Sequence, residues 1–291
     1  MFKGAYTALV TPFKDNAVDE TKLRELIEFQ ITNKISGLVP CGTTGESATL
    51  TYEEHKMVVE TTISAAAKRV PVIAGTGSNS TEETIELTKH AEEAGADAAL
   101  LITPYYNKPT QEGLYLHYKQ VAESVNIPIL LYNVPGRTSV DMLPETVARL
   151  STIDNIVGIK DATANMETAG WIKNLCGDSF SLLSGDDATT LPFMAVGGDG
   201  VISVVSNVAP QEMSSLCSSF LAGDTESARR LHCQLLPLNK ALFLETNPIP
   251  VKAALHLMGK ISEEIRLPLT ILSEKNRDQL RTALEELKIT L

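Results

Sequence analysis

The 291-residue sequence predicts an α/β chain folded as a TIM (β/α)8 barrel followed by a C-terminal helical extension. Three observations carry that expectation. Short apolar runs alternate with amphipathic stretches of helical period, eight strand–helix units in a row. Runs such as Ala98-Ala99-Leu100-Leu101-Ile102 are apolar throughout, as parallel strands covered on both faces are. The eight units finish near residue 222, and an eightfold barrel needs roughly 250 residues. A doubly wound sheet would usually open with a glycine-rich turn after its first strand, and Thr11-Pro12-Phe13-Lys14 is not one.

In chain order, strands are expected at 6–12, 37–41, 71–75, 98–103, 128–133, 156–160, 180–184 and 200–205. Helical patterns fall between them at 19–33, 51–68, 80–94, 111–124, 143–150, 165–175 and 188–196. Thr51 precedes Glu53 and Glu54, and Ser80 stands three residues before Glu83, which is capping-box spacing. Gly95 and Gly177 sit where helices should stop. Further helices are expected at 224–243, 249–258 and 274–287. The chain therefore divides into a catalytic barrel, 1–223, and a helical region packed on it, 224–291, with no linker or low-complexity tract between them.

Composition narrows the function. The formal charge is -11, and no run of Lys or Arg could track phosphates, which argues against nucleic acid as a partner. No apolar stretch approaches the roughly 20 residues needed to span a membrane. The N-terminal residues have no signal-peptide pattern, so a cytoplasmic protein is expected. Cys41, Cys176, Cys217 and Cys233 show neither Cys-x-x-Cys nor zinc-finger spacing and are expected as free thiols. Glu46 and the pair Asp186-Asp187 lack a histidine placed to complete a metal site, so no metal is expected. His55, His90, His117, His232 and His256 all fall in helical patterns and read as helix-face residues.

The chemistry points to Lys160. It ends the apolar run Ile156-Val157-Gly158-Ile159 and precedes Asp161-Ala162-Thr163. Burial disfavours an ammonium, and a neutral lysine attacks ketones and aldehydes to form a Schiff base. Taken alone, the segment also fits a strand-end lysine that reaches solvent or pairs with Asp161. Barrel chemistry sits where strands end, and the other strand ends offer what such an enzyme requires. Gly42-Thr43-Thr44-Gly45-Glu46-Ser47 is a glycine-framed turn before a helix, whose N–H groups could hold a carboxylate. Tyr132 could serve as a general acid/base, or be a core aromatic with a satisfied hydroxyl. Arg137, after a Pro-Gly turn, could grip a carboxylate bidentately or lie solvated on its loop.

Gly42-Thr43-Thr44-Gly45-Glu46, Tyr132-Asn133-Val134-Pro135-Gly136-Arg137-Thr138 and Gly158-Ile159-Lys160 resemble the signatures of the pyruvate-dependent class I aldolase superfamily. Within it the chain is most similar to the dihydrodipicolinate synthase family, from Gly4 to its end. Ala74-Gly75-Thr76-Gly77, Thr103-Pro104-Tyr105-Tyr106-Asn107, Leu183-Ser184-Gly185-Asp186-Asp187 and Asn247-Pro248-Ile249-Pro250-Val251-Lys252 extend the likeness. The resemblance implies condensation of pyruvate with L-aspartate 4-semialdehyde, with no cofactor beyond the Schiff base on Lys160. Tyr132 would be the general acid/base, and Thr43 would relay protons between it and Tyr106. That tyrosine would act in the neighbour's site across a tight dimer, within a homotetramer. Thr44, with Thr43, would hold the pyruvate carboxylate, and Arg137 that of the semialdehyde. The backbone of Gly185 and Ile202 would line the pocket. Some members are inhibited by L-lysine at a separate site, matched here by Ser47, Ala48, His55, Asn79, Glu83 and Tyr105. Tyr52 departs, standing where a histidine occurs in well-known inhibited members.

Two other readings remain open. An N-acetylneuraminate lyase or keto-deoxy-sugar-acid aldolase would share the lysine, the tyrosine and the turn, but would generally lack Arg137 and favour hydroxyl-binding groups. A non-catalytic keto-acid or amino-acid sensor would be expected to lack the nucleophile or break the relay.

Overall fold

The structure is a computed structural model describing residues 2–291. Eight parallel strands make one sheet: β1 (Gly4–Ala8), β2 (Gly37–Val39), β3 (Ile73–Gly75), β4 (Ala98–Ile102), β5 (Ile129–Asn133), β6 (Ile156–Asp161), β7 (Ser181–Ser184) and β8 (Gly200–Ser203). β1 pairs with both β2 and β8. The remaining gap closes where Leu38 N–H donates to the Pro71 carbonyl at 3.0 Å and Gly75 N–H to the Pro40 carbonyl at 2.9 Å. Sheet and closure together make the predicted barrel.

Its helices are α1 (Glu20–Thr32), α2 (Tyr52–Ala66), α3 (Thr81–Ala94), α4 (Gln111–Glu123), α5 (Pro144–Leu150), α6 (Met166–Cys176), α7 (Thr190–Ala195) and α8 (Pro210–Leu221). Beyond them lie α9 (Thr225–Ala241), α10 (Ile249–Leu257) and α11 (Glu274–Glu286). Each histidine lies on a helix, as expected.

Side-chain alternation sorts the core. On β5, Leu130 and Tyr132 join Tyr6, Val39, Leu100, Leu183 and Ile202 inside the barrel. Ile129 and Leu131 face the outer helices instead. On β6, Ile159 packs outward with that helical layer, so the next residue, Lys160, points inward. Leu235, Leu238, Val251 and Leu280 of the C-terminal helices share one buried cluster with Leu23, Ile27 and Val59 of the barrel layer.

Several local expectations need correction. The first strand begins at Gly4 and ends at Ala8 rather than covering 6–12. Residues 9–12 stay buried but bond outside the ladder: Leu9 N–H to the Val39 carbonyl, and Thr11 Oγ1 to the Gly45 carbonyl at 2.7 Å. A small hairpin, Phe13–Lys14 with Ala17–Val18, follows, turning through Asp15 and Asn16 at positive φ. Thr51 forms a full capping box with Glu54. The Ser80–Glu83 box is only half made. Ser80 Oγ accepts from Glu83 N–H, but the Glu83 carboxylate accepts from Ser78 Oγ at 2.6 Å. Gly95 does cap its helix in the left-handed region, at φ 90°.

Candidate active site at the barrel mouth

A cavity of about 490 Å³ opens at the C-terminal ends of the strands. Thr43, Glu46, Tyr132, Arg137 and Asn247 line it, together with Ser47, Ala48, His55, Glu83 and Tyr105. Lys160, Thr44, Gly185, Ile202 and Asn79 lie outside this lining.

Lys160 is only 7% exposed. Register sets Tyr132 beside it across the β5–β6 ladder, and its Nζ lies 4.2 Å from the centre of the Tyr132 ring. Among the described residues its Nζ has no hydrogen bond and no ion pair. Asp161, weighed above as its partner, instead accepts from Thr163 Oγ1 at 2.6 Å. Burial pushes the Asp161 carboxyl up to about 6, against the lowering effect of hydrogen bonds from Thr163 and Asn133. Gly185 makes room for the lysine. A Cβ there would stand 2.6 Å from Ala162 Cβ and 3.1 Å from Lys160 Cε.

The Gly42–Ser47 turn uses half of its donors on itself. The N–H groups of Gly45 and Ser47 donate to the Gly42 carbonyl, and that of Glu46 to Thr43. Those of Thr43 and Thr44 make no such bond among the described residues, so an anion would be held at the start of the turn rather than along it. Burial pushes the thiol of Cys41, beside it, well above the usual range, which disfavours the thiolate a nucleophile needs. All four thiols are free.

Glu46 does not await a metal. Its carboxylate meets Lys252 Nζ at 2.5 Å, with side-chain exposures of 1% and 2%, and also accepts from Arg266 N–H at 3.1 Å. Arg266 in turn grips Glu54 bidentately, and both Lys252 and Arg266 stack on the Phe13 ring at 4.3 Å. Burial draws the Lys252 ammonium down, and Glu46 opposes that shift. Asp187 is occupied at one oxygen, Oδ2, which accepts from the N–H groups of Val204 and Val205, while its buried Oδ1 has no partner among the described residues. The sequence reading missed Lys252 and Arg266 as supports of the turn. The only signal was Lys252 in the Asn247–Lys252 motif, and nothing local pairs it with a residue 206 positions away.

Arg137 rides on a single helical turn, Pro135–Thr138, not an open loop. Proline presets its first position, and Thr138 Oγ1 closes the turn by accepting from Val140 N–H. Arg137 Nη2 donates to the Asn247 carbonyl at 3.2 Å, and Asn247 Nδ2 donates to Thr44 Oγ1 at 2.9 Å. Tyr106 behaves differently: its side chain is 90% exposed and its backbone left-handed at φ 71°. Asn107 Nδ2 to the Asn79 carbonyl and Asn79 Nδ2 to the Tyr105 carbonyl clasp that loop.

Also in the lining, His55 Nε2 meets the Gly75 carbonyl at 2.8 Å while its buried Nδ1 has no partner among the described residues. Burial lowers the His55 imidazole. Tyr52 also lines the cavity, and its phenol is raised by desolvation and then by the Glu83 charge.

A barrel with its cavity at the C-terminal mouth, above an inward lysine, defines a (β/α)8 enzyme. The chain belongs to the dihydrodipicolinate synthetase family, whose model matches residues 1–287. It is 61% identical over 285 residues to a 4-hydroxy-tetrahydrodipicolinate synthase of Syntrophus aciditrophicus, covering 98% of each chain. A crystal structure of the chloride-inhibited dihydrodipicolinate synthase of Acinetobacter baumannii, complexed with pyruvate, superposes with a TM-score of 0.98 at 51% identity. That match covers 99% of this chain and 100% of the other. The Cyanidioschyzon merolae enzyme with lysine bound superposes at 0.96 and 42% identity, covering 99% of each.

Proposed function

We propose that the protein condenses pyruvate with L-aspartate 4-semialdehyde to give 4-hydroxy-tetrahydrodipicolinate, the first committed step of diaminopimelate and lysine biosynthesis. The observation that carries the reading is the buried, unpaired Lys160 against Tyr132, in a chain 61% identical to a synthase of that name. The Lys160 amine attacks the ketone carbon of pyruvate. Tyr132 moves protons while the carbinolamine loses water to become an imine. The Thr44 hydroxyl and the free N–H groups of Thr43 and Thr44 hold the pyruvate carboxylate. Loss of a methyl proton gives an enamine, whose carbon attacks the aldehyde. Arg137 holds the acceptor's carboxylate, and the acceptor's amine closes the ring on the imine carbon, releasing Lys160. Gly185 and Ile202 present backbone to the pocket. The organic steps run on the lysine itself, with no cofactor.

Tyr106 is exposed and absent from the lining of the cavity, which supports its service in a neighbour's relay through Thr43, and hence a dimer within a homotetramer. The reading divides the chain into a catalytic barrel, 1–223, and a helical region, 224–291, that braces its mouth. The lining residues Ser47, Ala48, His55, Glu83 and Tyr105, with Asn79 on the rim, suit L-lysine: Glu83 would take an ammonium. Tyr52 occupies a histidine's place there, so feedback of altered strength is expected.

The test is turnover of pyruvate with the semialdehyde, followed as NADPH loss through dihydrodipicolinate reductase, beside borohydride trapping with pyruvate. Turnover with trapping at Lys160 is expected. Trapping without turnover would move the acceptor to a sugar-type aldehyde. Neither would leave a binding protein.

A further inference from the structure

We infer that Asn247 is the positioning residue that orients both substrate-holding groups, setting the donor direction of Thr44 and the aim of Arg137. The inference rests on the pyruvate and semialdehyde reading above. Asn247 lies between α9 and α10, outside the eight strand–helix units, and is 5% exposed. Its Nδ2 donates to Thr44 Oγ1 at 2.9 Å, across 203 residues of sequence. A threonine hydroxyl has one proton to give and lone pairs to receive. With a lone pair taken by an amide N–H, the Thr44 proton is left to point at another acceptor. Thr44 Oγ1 has no other hydrogen bond among the described residues, so a bound carboxylate is the acceptor this arrangement prepares. The Asn247 carbonyl takes one of Arg137's five N–H donors, at 3.2 Å, and leaves the rest free for a second carboxylate.

Two further observations argue against mere packing. Asn247 Oδ1 is buried without a partner among the described residues. Leaving an amide oxygen unpaired is costly, and an apolar side chain would avoid that cost if filling space were the only task. The segment is also pinned close by, since Lys252, five residues on, is paired with Glu46 of the same turn. Asn247 and Lys252 thus fasten the turn at residues 44 and 46 from one rigid piece of chain, which is how a supporting shell keeps binding groups aimed.

The test compares Asn247→Ala and Asn247→Asp with the unmodified protein, and repeats Asn247→Ala in a Thr44→Val background. Asn247→Ala is expected to raise the pyruvate KM by about tenfold, the effect of one lost hydrogen bond to a group that binds a charge. kcat and the semialdehyde KM should stay within about threefold, because Arg137 is held by a backbone carbonyl the substitution leaves in place. Asn247→Asp keeps the shape but reverses the bond, drawing the Thr44 proton onto its carboxylate. Its pyruvate KM should exceed that of the alanine variant at neutral pH and recover as the pH falls and the carboxyl regains a proton to donate. In the Thr44→Val background, Asn247→Ala should change the pyruvate KM less than about twofold. An equal effect with and without the Thr44 hydroxyl would overturn the inference. So would a uniform fall of kcat and both affinities alongside the melting temperature, or an Asn247→Asp variant without the pH response. Should the alanine variant fail to fold, the near-isosteric aspartate variant decides by that response. Failure of the unmodified protein to trap pyruvate would instead overturn the functional reading beneath it.

Discussion

Lys160 and Lys252 are both buried, and their surroundings differ in one respect. Lys252 has a carboxylate at 2.5 Å and an aromatic ring beneath it. Lys160 has an aromatic ring and no carboxylate. Burial alone therefore does not make a nucleophile. A paired ammonium is held charged by its partner, and taking that proton would leave the carboxylate buried alone. A lysine with no carboxylate partner leaves no buried anion stranded when its nitrogen enters an imine. On the proposed function, the same residue type serves as a fixed brace in one place and as a reactive group in the other.

The widest separation between the two should come from removing each. Lys160→Ala is expected to lower kcat on the order of 10^4-fold or more. Its melting temperature should change little, since among the described residues Lys160 makes no ion pair or side-chain hydrogen bond for the substitution to break. Borohydride with pyruvate should no longer add mass; an adduct surviving on Lys252 would erase the distinction. Lys252→Met should act mainly on stability, costing about 3–5 kcal/mol by stranding Glu46. Adding Glu46→Gln, which keeps an acceptor for Arg266 N–H, should recover at least half of that in thermal or urea melts. A double variant no better than the single would mean the pair is not what matters.

The smallest effect concerns Asp161, beside Lys160 on β6. Its folded value near 6 lies above the 3.8 of the free carboxyl. The folded state therefore binds the proton more tightly. The stability this contributes is complete below the unfolded value and is lost as pH rises through 6. Relative to Asp161→Asn, the unmodified protein should lose about 2–3 kcal/mol between pH 4 and pH 7. Parallel stability profiles for the two would show that the carboxylate beside the unpaired lysine is solvated after all.

The strands and the lysine were legible because their signals are local. An all-apolar run bounded by glycine or proline names a parallel strand, and a lysine at the end of one stands out. Thr51 and Gly95 announced their caps by spacing and backbone preference. What stayed hidden was long-range or conditional. Glu46 read as an idle carboxylate because its partner lies 206 residues away. Glu83 had the spacing of a capping box, yet the Ser78 hydroxyl captures its carboxylate, a competition between two local donors that spacing cannot rank. The helical turn under Arg137 is four residues long, too short for any periodic pattern to show. The motif Asn247–Lys252 was visible, but its two contacts to the turn were not.

Those long-range ties have a consequence for how the molecule is made. The Gly42–Ser47 turn is among the first parts of the mouth to leave the ribosome. Its braces, Asn247, Lys252 and Arg266, emerge some two hundred residues later, at separations of 203, 206 and 220. A nascent chain can carry all eight strands while the Gly42–Ser47 turn still lacks these ties. On the proposed function, the order of synthesis leaves Lys160 without its substrate grip until those three residues have emerged.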